Sequence, residues 1–135
     1  MSTKTDLVPK WVRILVGILA LANIIFGVMG YFDYNVLFHH GTDGVSEMLL
    51  KNASFEFSAR NLAIGLALGI VYLKGVPESI AIVMIIRALV EFQSFLIGAT
   101  TSGFSMDLIM PLLFFAVEIF IIKTIVGVIK VRDSD

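Results

Sequence analysis

The chain has 135 residues, of which 58% are hydrophobic, with no cysteine and a formal net charge of −1. An average soluble domain is only about 45–50% apolar, and a mean hydropathy of +0.94 reflects apolar residues gathered into long blocks. The missing thiols exclude disulfides, thiolate metal sites, iron–sulfur clusters and dithiol redox chemistry, and the near-zero charge excludes attraction to nucleic acid.

A spanning helix needs about 20 mostly apolar residues, and four blocks qualify: 11–30, 56–73, 77–99 and 106–128. The expectation is an all-α integral membrane protein, one transmembrane domain over 1–135, folded as a four-helix up-down bundle with short inner connections. In chain order, a polar tail ends at Pro9, a residue suited to a helix start. The first block is longer than the ~7–15-residue apolar core of a signal peptide and carries no small-x-small cleavage site, so it reads as the first span. Trp11 opens it and Tyr31, Phe32 and Tyr34 close it, where interfacial aromatics belong.

Residues 31–55 form the one long connection, expected as an outer loop broken by Gly41 and Gly44, with a short interfacial helix over VSEMLLKN. His39 and His40 in this loop are a weak metal signal, because adjacent residues on an extended chain point apart. Asn52-Ala53-Ser54 fits a glycosylation sequon, a tripeptide common by chance.

The second span carries Gly65 and Gly69 as a GxxxG pair, continued by Ala59, Ala63 and Ala67. Small residues let helix backbones approach closely in lipid, and packing within the chain is the preferred reading over dimerisation. The turn KGVPES joins spans two and three as a hairpin, and Pro111 falls in the first turns of span four. Lys4, Lys10, Arg13, Lys74, Lys123, Lys130 and Arg132 lie beside the two termini and the 2–3 turn, which places those segments in the cytoplasm. The location expected is the plasma membrane, the inner one in a bacterium.

Polar groups inside the spans are Asn23, Arg60, Asn61, Arg87, Glu91, Gln93 and Glu118. Counting 1.5 Å per residue from the outer helix ends puts Arg87 about 16 Å and Glu118 about 18 Å deep, near the middle of a ~30 Å core. Arg87 and Glu91 share a helix face through their i, i+4 spacing. Two arginines against two glutamates cancel, and mutual pairing is the least costly way to hold them in lipid. Two readings stand side by side: a structural ion-pair network that sets helix register, and a polar cavity open to the outer side.

Across SARNLAIGLALGIVYLKGVPESIAIVMIIRALVEFQSFLIG, Ser58 to Gly98, the chain resembles the small DoxX-like four-helix membrane proteins. The shared pattern is a small-Arg-Asn/Asp-hydrophobic-small-Gly start to the second helix, then an arginine and a nearby acid in the third. Arg60, Asn61, Gly65, Arg87 and Glu91 match it, and Gln93 stands where relatives often carry an aspartate. The resemblance implies the four-helix fold, and its link to quinone-linked oxidation in some relatives makes a quinone or a lipid the ligand class to consider. No cofactor motif is identifiable.

Three function classes follow. The first is a membrane protein that binds a small amphipathic ligand, or serves as an accessory subunit or homo-oligomer, through Arg60, Asn61, Glu91 and Asn23. The second is a small transporter working as a dimer, ranked lower because its first span holds Asn23 where such exporters use an acid. The third is a membrane-embedded isomerase or transferase, which lacks any nucleophile–base pair.

Overall fold

The computed structural model describes residues 8–33, 44–101 and 106–134, and among these every regular element is helical. Helix α1 spans Lys10–Phe32, α2 Glu47–Lys74, α3 Pro77–Thr101 and α4 Ile109–Ser134, with a 3₁₀ turn at Met106–Leu108 leading into α4. All four are long and apolar enough to cross a membrane. The burial pattern agrees with that reading, because it runs opposite to a soluble protein. Leu73 is 79% exposed and Ile14 61%, while Arg87 is 5% and Glu118 0% exposed.

The helix ends follow local chemistry. Pro9 offers its carbonyl to the Arg13 amide at 3.1 Å, and has no amide hydrogen of its own to leave unpaired. Gly75 ends α2 with φ +63°, a left-handed conformation that glycine adopts without a Cβ penalty, and its amide donates to Val71 at 2.9 Å. Two residues later Pro77 opens α3, and the Val76 carbonyl takes the Ile80 amide. Pro111 sits three residues into α4, where an amide hydrogen has no intrahelical partner, so the helix continues through it.

The expected outer loop of 31–55 is too long. Residues 47–55 belong to α2, and the segment expected as a separate interfacial helix is its first turns. Three local features explain the early start. Gly44 turns the chain with φ +83°, the Ser46 carbonyl accepts from the Leu49 and Leu50 amides, and Lys51 pairs with Glu47 at 2.7 Å across one turn. His39 and His40, with the metal reading attached to them, and the interfacial Tyr34 lie outside the described residues.

The chain divides into two compact units. The unit of residues 14–70 joins most of α1 to most of α2. Its helices touch backbone to backbone: a Cβ on Gly27 would stand 2.6 Å from the Leu62 amide nitrogen, and one on Gly65 2.8 Å from that of Ile24. The Ser54 hydroxyl donates to the Gly30 carbonyl at 2.7 Å, and Tyr31 stacks on Phe55 with centroids 5.5 Å apart. Of the GxxxG pair only Gly65 serves this contact, since a Cβ on Gly69 would meet nothing within 4 Å. Ser54 is fully buried within a helix, an arrangement at odds with the exposed loop a glycosylation sequon requires.

The unit of residues 1–13 and 71–135 is built on α3 and α4. They run antiparallel, as the pairings along their length show: Glu78 with Arg132, Arg87 with Glu118, Phe92 on Phe115 at 5.5 Å, and Gly98 against Leu108. The first turn of α1 joins this unit through Trp11, whose ring lies 5.4 Å from that of Phe120.

Candidate functional site

The α3–α4 hairpin brings three of the selected polar residues together. Arg87 and Glu91 stand one turn apart on α3, and the Arg87 Nη2 donates to Glu91 Oε1 at 3.2 Å. Arg87 Nη1 donates to Glu118 Oε1 on α4. One turn before Glu118, Phe114 places its ring 5.7 Å from the guanidinium carbon. One planar cation is therefore shared by two carboxylates and backed by an aromatic face. Arginine suits this position because its fork of donors can reach both acids at once.

The cluster grades from sealed to open. Glu118 is fully buried, the Arg87 side chain is 6% exposed and that of Glu91 is 20% exposed. Its hydrogen-bonding capacity is not exhausted. Glu118 Oε2 and Arg87 Nε are both buried and have no hydrogen-bond partner among the described residues. Buried polar atoms in native proteins are nearly always paired, so one acceptor and one donor left over at the same cluster mark it out.

The other selected residues have different roles. In the 14–70 unit, Asn23 is buried and donates its amide to the Leu19 carbonyl at 2.7 Å, one turn back on its own helix. Asn61 does the same to Phe57 at 2.8 Å. Arg60 is exposed, with its guanidinium carbon 5.6 Å from the centre of the Phe57 ring. Gln93 is exposed on α3. Two positions beyond Glu91 on a helix is about 200° of rotation, so it faces away from the cluster.

Sequence reasoning missed Ser54 and Ser58, both fully buried on α2. Their i, i+4 spacing extends a face of small residues and was the available signal. It also missed Phe114, whose clue was its own i, i+4 relation to Glu118.

A groove of ≈ 260 Å³ runs along the hairpin, lined by Ile85, Ala88, Leu89 and Phe92 of α3 and Phe115, Ile119 and Ile122 of α4. No polar side chain lines it. At about 100° per residue the centre of its α3 face is turned roughly 130° from that of Arg87 and Glu91, with Ala88 at the edge nearest Glu91. Among the described residues no three His, Asp or Glu side chains are grouped closely enough to hold a metal ion.

Comparisons of the chain with known protein families, with curated proteins and with solved structures find no match.

Proposed function

We propose that this is a multi-pass plasma-membrane protein that binds a small lipophilic ligand through the Arg87–Glu91–Glu118 cluster, with its four helices forming an up-down bundle and both termini cytoplasmic. One observation carries the reading: a fully buried carboxylate and its arginine partner each keep a hydrogen-bonding atom without a partner. A ligand with an adjacent donor and acceptor, such as a hydroxyl, would complete both. A quinol or a lipid headgroup hydroxyl belongs to this class, in keeping with the DoxX-like resemblance, whereas a quinone carbonyl only accepts and would complete Arg87 Nε alone. Glu91, at the more exposed edge, orients the guanidinium as the guest enters. Asn23, Asn61 and Arg60 are given no part, because each is already directed to its own helix.

The intramembrane position supports a functional role, since charges there are costly and usually line pathways or sites. Native mass spectrometry of gently extracted protein tests the proposal. The expected result is a bound small molecule on the wild-type chain that is lost from folded Glu118→Gln and Glu91→Gln variants. Wild-type protein free of any adduct, with variants that lose only stability, would leave the cluster as a structural ion-pair network.

A further inference from the structure

A second site lies at the C-terminal end of α2, about three turns from Arg60, and it involves none of the cluster residues. Three arginines of the 1–13 and 71–135 unit are wholly or partly withdrawn from solvent: Arg13, Arg87 and Arg132. Arg87 pairs with Glu118 and Glu91, and Arg132 pairs with Glu78 and Asp133. Arg13 pairs with no carboxylate among the described residues. Its guanidinium carbon lies 5.7 Å from the centre of the Tyr72 ring, and its Nε is buried with no hydrogen-bond partner among the described residues. A guanidinium fixed against an aromatic face is held in one place, with its donors pre-set for a planar or tetrahedral oxyanion.

The surroundings name the anion. Arg13 is in the first turn of α1 and Tyr72 in the last turn of α2, so the pair stands where two spans enter and leave the bilayer. Trp11, 39% exposed beside Phe120, is an aromatic of the kind that settles at headgroup level. Lys10 is exposed and shares a helix face with Arg13 at i, i+3, and exposed Lys74 closes α2 at the same end. Basic side chains grouped beside a span attract the phosphate of anionic lipids.

We infer that Arg13, held on Tyr72 and assisted by Lys10, binds the phosphate group of an anionic lipid at this membrane face. The partner is defined by its chemistry: a phosphate oxyanion to accept from the guanidinium, attached to acyl chains that lie along the helices. Arg13 therefore gains from the lipid a counter-charge that no carboxylate among the described residues supplies, whereas Arg87 and Arg132 each have one there.

The test is native mass spectrometry of the full chain in detergent, titrated separately with phosphatidylglycerol, phosphatidylcholine and inorganic phosphate. Retention of one phosphatidylglycerol in preference to phosphatidylcholine is expected. Roughly fivefold or greater weakening is expected in Arg13→Gln, with an intermediate effect in Arg13→Lys, which keeps charge but not the fork. Arg60→Gln, near the middle of α2 and about three turns from Tyr72, should bind as wild type does. Helical circular dichroism checks that each variant is folded, and Tyr72→Leu, which removes the supporting ring, should also weaken binding if Arg13→Gln fails to fold. Unchanged phosphatidylglycerol binding in folded Arg13→Gln, or equal binding of the two lipids, would overturn the assignment. Displacement of the lipid by millimolar inorganic phosphate would overturn the lipid as the source of the anion.

Discussion

Removing Arg87 should cost far more than removing its buried partner, and the asymmetry comes from how the guanidinium is shared. In Arg87→Gln, Glu118 keeps a fully buried carboxylate without its donor, and Glu91 loses its 3.2 Å bond. Breaking a buried pair from one side costs about 3–5 kcal/mol. In Glu118→Gln the new amide carbonyl still accepts from Arg87 Nη1, and Arg87 keeps Glu91. The loss is then the difference between a charge-assisted and a neutral hydrogen bond, about 1 kcal/mol. The double variant removes the buried ions on both sides of the helix contact and should cost about 2 kcal/mol, less than Arg87→Gln alone. The resulting coupling energy is at least about 2 kcal/mol. Unfolding in mixed micelles, followed by far-ultraviolet circular dichroism, measures all three. Equal losses in the two single variants, or additivity in the double, would refute the shared-guanidinium account.

The α1–α2 contact gives a second set of outcomes. Gly27→Ala must move a Cβ now 2.6 Å from the Leu62 nitrogen to about 3.4 Å, and backbone cannot swing aside, so a loss of about 1–3 kcal/mol is expected, with the same for Gly65→Ala. Gly69→Ala, facing open space, should leave the melting temperature in place. Ser54→Ala removes a 2.7 Å bond to Gly30 and should cost about 0.6–1.5 kcal/mol in the same unfolding assay. Ser58→Ala should be neutral or stabilising, because its buried hydroxyl has no partner among the described residues. Arg132→Gln breaks only half-exposed pairs at the end of the hairpin, so its effect on stability should be small and shrink with salt.

The number and composition of the helices were legible because membrane length is a strong physical constraint: four runs of apolar residues have no other economical fold. The relative level of residues on neighbouring helices was also legible, since rise per residue is constant. Counting rises placed Arg87 and Glu118 at one level, and they pair in the structure. Rotation about the helix axis was not legible. A span that is apolar all round carries no amphipathic stripe to say which side faces inward. That is why Arg60 and Gln93 turned out exposed, and why only one glycine of the GxxxG pair meets a neighbour. The continuity of α2 with the helix expected over VSEMLLKN was not legible for a different reason. Its first turns are set by a serine cap and a Glu47–Lys51 pair, polar helix signals that end no apolar block and so do not show that the helix runs on into the span.

The two faces of the α3–α4 hairpin allow the polar cluster and the apolar groove to be separated experimentally. Ala88 is next to Arg87 in sequence yet lines the groove, because one residue is about 100° of helix. Ala88→Leu would add three carbons at the wall of the ≈ 260 Å³ groove, at a position only 3% exposed. Its neighbours must give way to the larger side chain, so a loss of about 1–3 kcal/mol in a chain that still folds is expected. If the ligand is bound by the cluster alone, its mass should remain on Ala88→Leu and disappear from Glu118→Gln. Loss of the ligand from a folded Ala88→Leu would instead show that its apolar part occupies the groove. The polar and apolar faces of the hairpin would then be two halves of one site, reached around the edge of α3 where Glu91 is partly exposed.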